Sequence, residues 1–184
     1  MTIPSSASVA DARLGSIALG FSRAHGRLTA AYSKRYGQTE LAKNQRKEDV
    51  FEATFEALNW LDALRLHPEG ARRIDPDLND AIRFVRGRVH HSFADAIEFR
   101  DDVLMQVGSA TGVGVRPPIV IADWCWLRVG ALRGGGRSSN AASRERSGET
   151  AYESLLAGGQ ARAALDGIAQ TAAEIYNAVV TGLL

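Results

Sequence analysis

Apolar residues recur at three- and four-residue steps over long parts of the chain, which is the spacing of an amphipathic helix. The first stretch predicts a helix from about Ala10 to Tyr36. Gly37 is a natural C-cap and Thr39 a natural N-cap, so a second helix is predicted over about Glu40 to Leu66. Three glycines interrupt the first pattern: Gly15, Gly20 and Gly26. We expect them to mark close packing against another helix rather than a kink.

A third helix is predicted from Pro76 to about Arg100. Asp75 at the N-cap, with Pro76 at the first helical position, is a strong start signal. A proline and a glycine at 68–70 end the preceding helix, and a short basic loop at 71–73 joins the two. The apolar positions of the third helix predict its core face: Leu78, Ile82, Val85, Val89, Phe93 and Ala96.

The pattern changes after Asp102, where two β-favouring runs, 103–107 and 118–122, flank a segment rich in turn residues. This arrangement predicts a β-hairpin, and three residues extend its second strand: Trp124, Trp126 and Leu127. A two-stranded hairpin is only marginally stable alone, so we expect it to lie on the helices.

The last third of the chain predicts a flexible Gly/Ser/Arg-rich loop, a short helix, a glycine break and a final helix. These cover Arg133 to Ser147, Gly148 to Leu156, Gly158-Gly159, and Gln160 to about Thr181. The predicted fold is therefore mainly α, a helical bundle of about four to five helices with a small β-hairpin after the third helix. We expect one domain over 1–184, with 1–9 and 133–147 flexible.

Composition narrows the class of protein. Hydrophobic residues make up 45% and charged residues 23% of the chain, which is the range of a globular domain rather than a disordered one. The net charge of +1 gives no argument for a chain wrapped in nucleic acid, so any anion site must be local. The first ten residues lack the pattern of a signal peptide, and no apolar run reaches the roughly 18 residues of a membrane helix. We therefore expect a cytoplasmic protein that does not enter a membrane.

Cysteine usage restricts the chemistry further. Cys125 is the single cysteine, so no internal disulfide can form and the usual Cys/His zinc sites are excluded. Its place between Trp124 and Trp126 is typical of a small buried residue rather than a nucleophile. We expect neither a metal nor another cofactor, and we expect Trp60 and Trp124 in the core.

Arginine and histidine cluster on the third predicted helix. Arg83, Arg86 and His90 lie at three- and four-residue steps on one flank, while Arg88 and His91 share another. The planar guanidinium of arginine binds phosphate through several N–H donors, and histidine transfers protons near neutral pH. These groups suffice to cleave RNA through its own 2′-hydroxyl, with a base, an acid and a cation at the phosphorane. The candidate catalytic residues are Arg86, His91 and His90, and the candidate substrate-binding residues are Arg83 and Arg88.

The same residues could instead have only a structural role. Exposed arginine is common on the surface of a helix, and a histidine on a helix edge often has no catalytic function. Glu52 and Glu56, one turn apart on the second helix, could face the Arg/His cluster or simply solvate their own helix.

The run Arg86-Gly87-Arg88-Val89-His90-His91 resembles the Arg-x4-6-His motif of the HEPN superfamily, whose members are all-helical and often act as metal-independent ribonucleases. By position, the resemblance implies that Arg86 is the motif arginine and His91 the motif histidine, with His90 as an alternative. It further implies RNA as substrate, a site built across a homodimer, and a role as toxin or phage-defence component. Segments at 51–60, 91–96 and 151–158 also resemble uncharacterised actinobacterial proteins, which carry no known activity.

Gly87 departs from the HEPN pattern, in which a polar residue, most often Asn, follows the arginine. This leaves a second hypothesis open: a non-catalytic helical protein that binds RNA, another anionic ligand or a protein partner. A third hypothesis is a structural protein in which the histidines are incidental. On a straight helix five residues turn His91 about 140° away from Arg86, so the two can meet only across a dimer or at a distortion, most easily at Gly87.

Overall fold

The computed structural model describes residues 9–35, 37, 39–89, 93–105, 119–132 and 142–183. Within them the main elements, in chain order, are α1 Val9–Ser33, α2 Glu40–Leu66, α3 Pro68–Arg73, α4 Pro76–Arg88, β1 Ile97–Met105, β2 Ile119–Trp126, α5 Ala142–Leu155 and α6 Ala161–Val180. Short 3₁₀ helices occupy Phe93–Ala96 and Val129–Ala131. The predicted mainly helical fold with a small antiparallel β-hairpin is confirmed.

Both predicted N-caps are confirmed. The side chain of Thr39 accepts a hydrogen bond from the backbone N–H of Ala42 at 3.2 Å, and that of Asp75 accepts one from Leu78 at 2.9 Å. These bonds satisfy amide groups that the first turn of a helix leaves without partners. The basic loop expected at 71–73 is instead part of α3, which begins at Pro68 because proline suits the first helical position.

The predicted helix from Pro76 to Arg100 is wrong beyond its first half. Helix α4 ends at Arg88, Val89 is extended with φ −101° and ψ 92°, and β1 begins at Ile97. Val89, Phe93 and Ala96 are nevertheless buried, as predicted. The three- and four-residue spacing had therefore identified buried positions correctly. It could not reveal that pairing with β2 supplies the backbone hydrogen bonds after Ala96.

The two strands pair antiparallel, with Phe99 opposite Trp124 and Arg100 opposite Asp123. An irregularity follows Arg100, before pairing resumes at Val103. The hairpin lies on the helices, as expected. At its free edge β2 is covered by the turn before α6, where Gly158 N donates to the carbonyl of Trp126 at 2.9 Å. This turn fixes the end of β2 against the helical layer.

Helix α1 packs along α2 and α6, and α4 packs along α5. A Cβ at Gly15 would lie 2.9 Å from Val179, and one at Gly20 would lie 2.7 Å from the indole of Trp60. Close packing is therefore confirmed at these two glycines. It is wrong at Gly26, where a Cβ would meet nothing within 4 Å.

The final helix is confirmed at 161–180, and α5 begins at Ala142, earlier than predicted. Residues 142–147, expected in a flexible loop, belong to that helix because it continues toward the N-terminus past Gly148, where it crosses α4 closely. Residues 133–141 and 1–8 lie outside the described part of the chain. Among the helices that the structure describes, none has both the length and the apolar character needed to cross a bilayer.

Candidate functional site

Arg86, the predicted motif arginine, is held by groups of its own chain. Its Nε donates to Oδ2 of Asp62 in α2 at 3.2 Å, and its Nη1 donates to the carbonyl of Val89 at 3.4 Å. Its guanidinium also lies 5.5 Å from the ring centre of Phe93. Arg86 thus fastens the end of α4 to α2 and to the segment that leads into β1.

Asp62 binds a second arginine as well. Arg65 donates from Nη2 and Nε to Oδ1 of Asp62, at 2.6 and 2.7 Å. The side chains of Arg65 and Asp62 are only 10% and 13% exposed, against 31% for Arg86. We call these three residues the Asp62 cluster. Its carboxylate is shared by two guanidinium groups at the junction of α2 and α4, an arrangement that stabilises packing.

The remaining residues of the predicted site are not brought to a common point by the described structure. Arg83 pairs with Asp80 one turn earlier at 3.0 Å, and the guanidinium of Arg88 lies 5.2 Å from the ring centre of Phe84. His90 and His91 lie outside the described residues, so their place at the site stays a prediction.

The two carboxylates of α2 that could have faced the Arg/His cluster do not both do so. Glu56 instead pairs with Arg27 of α1, whose Nε donates to Oε2 at 2.9 Å. This pair joins the exposed edges of α1 and α2, away from α4. Glu56 is therefore part of the packing of these two helices.

A different region has the form of a binding site. A cleft of about 580 Å³ lies between the C-terminal end of α1, the first half of α2, and the hairpin. Its lining includes four cationic residues, three carboxylates and three aromatic rings, namely Lys34, Lys43, Arg46 and Lys47; Glu40, Asp101 and Asp123; and Tyr32, Phe99 and Trp124. This volume is typical of small-molecule sites.

Three of the cations come from one face of α2. Lys43, Arg46 and Lys47 are spaced i, i+3, i+4, which places them side by side on a helix. Lys43 pairs with Glu40 at 2.6 Å, whereas Arg46 is exposed and forms no ion pair with any described residue. The Nζ of Lys47 lies 4.6 Å from the ring centre of Phe99. Arg46 and Lys47 therefore form no salt bridge with a described residue, although the charge of Arg46 favours the ionised form of Asp123 across the cleft.

The floor of the cleft holds a buried pair of titratable side chains. Asp123, only 3% exposed, accepts a short hydrogen bond from the hydroxyl of Tyr32 on its Oδ1. The same oxygen accepts the backbone N–H of Trp124 at 2.7 Å. Burial raises the pKa of Asp123 above the usual carboxyl range, and burial together with Asp123 raises the pKa of the Tyr32 phenol.

Trp124 forms a fixed wall of the cleft. Its Nε1 donates to the carbonyl of Lys47 at 3.1 Å, which ties β2 to α2. The ring of Phe51 lies 4.6 Å from it and that of Phe99 lies 5.6 Å from it. Trp124 and Trp60 are half-buried against the core rather than fully inside it. The cleft therefore has a rigid aromatic side next to its cations.

The sequence does not predict this cleft, because charged residues such as those at 43–49 are typical of a solvated helix start. One signal was present: cations at i, i+3 and i+4 directly before an apolar stripe. No local signal brings Tyr32 and Asp123 together, since they are 91 residues apart. Their meeting depends on how the hairpin lies on α1 and α2.

Within the described part of the chain, no three His, Cys, Asp or Glu side chains gather closely enough to hold a metal ion. Comparison of the sequence with models of known families and with curated proteins, and of the fold with solved structures, gave no match. The HEPN resemblance therefore depends on residues 86–91 and stays a prediction.

Proposed function

We propose that this protein is a non-catalytic helical binding protein, and that the cleft between α1, α2 and the hairpin binds an anionic ligand. The observation that carries the proposal is the row of Lys43, Arg46 and Lys47 along one wall of the cleft. Arg46 forms no salt bridge with a described residue and interacts with Asp123 only over a longer distance, so an anion can bind it without breaking a direct ion pair. An arginine fork and neighbouring ammonium groups suit phosphate oxygens.

The contacts of Arg86 favour binding over cleavage. A catalytic arginine must face the phosphate, but the Nε and Nη1 of Arg86 already bind Asp62 and Val89. Turning its guanidinium toward a substrate would leave the nearly buried carboxylate of Asp62 with Arg65 alone. This cost supports a structural role for Arg86.

The test is a binding measurement with a fluorescent single-stranded RNA and with polyphosphate, in EDTA and at several salt concentrations. Wild type is expected to bind more weakly as salt rises. The double variant Lys43→Glu/Arg46→Glu is expected to lose about tenfold or more in affinity, because two phosphate contacts become repulsions.

The matched control is Arg13→Glu/Arg23→Glu, which changes the net charge equally on exposed positions of α1 that do not line the cleft. Its affinity should stay within about twofold of wild type, since distant exposed charges are screened. Equal losses in both double variants, or no binding of either polyanion by wild type, would overturn the proposal.

A second candidate is the HEPN-like metal-independent ribonuclease, acting as a homodimer. One observation favours it: α4 ends at Arg88 and Val89 is extended, so the straight helix that would turn His91 away from Arg86 does not continue. Arg86 also contacts Val89 and Phe93, the residues directly before and after 90–92 in the sequence. In this proposal Arg86 neutralises the phosphorane while His91 or His90 transfers the proton.

RNA cleavage in EDTA tests this second candidate. Arg86→Ala and His91→Ala are expected to lose about 100-fold or more of the rate, whereas Arg27→Ala on α1 should retain it. Gly87→Asn restores the polar residue of the motif at a position where a Cβ meets nothing within 4 Å, so we expect it to fold and to cleave faster. Equal rates in all variants, or no cleavage by wild type and Gly87→Asn, would contradict the candidate.

A further inference from the structure

Three carboxylates share the cleft with its cations, and they restrict what the ligand can be. Asp101 and Asp123 approach from the hairpin and Glu40 from α2. These groups disfavour negative charge on the hairpin side of the cleft, whereas the cations of α2 favour it on theirs. The ligand that fits the cleft best therefore carries its negative charge at one end.

Asp123 indicates which chemical group the uncharged end of the ligand carries. Its Oδ1 already accepts two hydrogen bonds, from Tyr32 and from the N–H of Trp124. Its Oδ2 accepts none from the residues that the structure describes, and Asp123 lines the cleft. A carboxylate oxygen is an acceptor only, so a ligand that donates an N–H to Oδ2 gains a charge-assisted hydrogen bond.

The space beside Asp123 suits a planar ring. Tyr32, Phe99 and Trp124 line the cleft, and the last is fixed by its bond to the Lys47 carbonyl. The ammonium of Lys47 lies over Phe99 and reaches within 5.8 Å of the Trp124 ring centre. Since the lysine stem is flexible, its ammonium can turn to a phosphate and leave the aromatic wall to a stacked base.

We infer that the ligand is a nucleotide, free or as one residue of a single-stranded RNA, and that Asp123 selects a base that presents an exocyclic amino group. The inference rests on the proposed anion-binding function of the cleft and adds its ligand class. Arg46 and Lys47 bind the phosphate, the aromatic wall stacks the base, and Oδ2 of Asp123 accepts the amino N–H. Asp123 is then a specificity-determining residue, because a carboxylate accepts from an amino group but repels a carbonyl oxygen at the same place.

The experiment compares CMP with UMP, which share phosphate and sugar and differ at this ring position by an amino group against a carbonyl. Titration calorimetry of the full chain at pH 7 is expected to show about tenfold tighter binding of CMP. In Asp123→Asn the amide oxygen keeps the two donors of Oδ1 and the amide N–H faces the base, so the preference for CMP should fall to about twofold or less, or reverse toward UMP. The same comparison with oligo(C) and oligo(U) RNA distinguishes the two sources: a preference only in the oligomers assigns the site to RNA.

Two further measurements separate the possible failures. Equal affinity for C and U in both formats overturns the inference, and it does so in wild type, independently of whether Asp123→Asn folds. If Lys43→Glu/Arg46→Glu abolishes binding in that case, the anion-binding function is supported and only the selection of the base is wrong. If Asp123→Asn folds, as judged by circular dichroism, and keeps the full preference for CMP, the selecting role of Asp123 is wrong.

Discussion

Asp123 and Cys125 lie two positions apart on β2, and burial acts on the charged form of each. Cys125 is fully buried, and burial raises the pKa of its thiol to about 11. Asp123 is almost as buried, and burial raises the pKa of its carboxyl group as well. The hydrogen bond from Tyr32 acts in the opposite direction and lowers this pKa, but burial has the larger effect. At neutral pH the thiol is therefore protonated and inert, as the sequence predicted for a cysteine between two tryptophans.

The first prediction concerns the reactivity of this thiol. With a pKa of about 11 and no exposed surface, Cys125 should react with a disulfide reagent at pH 8 about 100-fold more slowly in the native protein than in denaturant. The absorbance of the thiolate that the reagent releases measures the rate in the native and in the denatured protein. Since Cys125 is the single cysteine, the denatured sample provides the stoichiometric control. Equal native and denatured rates would show that the site opens readily.

The second prediction concerns stability and pH. The folded-state pKa of Asp123 lies above its unfolded value of about 3.9, so its favourable contribution is complete below that value and is lost as pH rises through the folded-state pKa. The free energy of unfolding of Asp123→Asn should therefore rise relative to wild type between about pH 4 and pH 7. Urea denaturation across this range measures the difference.

The control for this second prediction is Asp101→Asn, since Asp101 is exposed on the same hairpin. Its stability relative to wild type should change little with pH. If the free energy of unfolding of Asp123→Asn differs from that of wild type by the same amount at every pH, the folded protein stabilises the ionised carboxylate as well as water does, and the prediction is wrong.

At the scale of elements, close packing and helix propensity act on the glycines in opposite directions. Gly26 lies inside α1 with open space around it, so it only weakens the helix. Gly70 in α3 is buried, and a Cβ there would lie 2.1 Å from the carbonyl oxygen of Leu64. The sharp turn from α2 into α3 therefore requires glycine at this position, which the sequence indicated only as a helix end.

The third prediction compares these two glycines. Gly26→Ala should raise the free energy of unfolding by up to about 1 kcal/mol, because alanine loses less backbone entropy in a helix. Gly70→Ala should lower it by about 1–3 kcal/mol, because the new methyl group displaces the backbone of α2. Chemical denaturation of both variants provides the measurement. Stabilisation by Gly70→Ala would mean that the turn relaxes without cost.

At the scale of the whole molecule, the Asp62 cluster couples α2 to α4 and to the chain that enters the hairpin. Arg86 contributes three contacts to this coupling, with Asp62, Val89 and Phe93. Because Asp62 and Arg65 are nearly buried, removal of one member leaves charge without its partner in a poorly hydrated place.

The fourth prediction is a double-mutant cycle on this cluster. Asp62→Ala and Arg86→Ala should each cost about 1–3 kcal/mol, and their effects should be coupled by about 1 kcal/mol, because they share one interaction. The Arg27–Glu56 pair, with side chains 54% and 41% exposed, serves as the comparison and should show coupling of less than about 1 kcal/mol. Additive effects of Asp62→Ala and Arg86→Ala would contradict a structural role for Arg86.

The sequence by itself determined the burial of most of the predicted core face, including Val89, Phe93 and Ala96, the starts of α2 and α4 at Thr39 and Asp75, and the presence of a hairpin. These features depend on neighbours within about four residues, through helical periodicity, capping bonds and strand alternation. Only the tertiary structure decided that α4 stops at Arg88 and that Arg86 pairs with Asp62. It also decided that Tyr32 and the cations of α2 meet Asp123, since contacts between distant residues depend on how whole elements pack, and no local pattern contains that information.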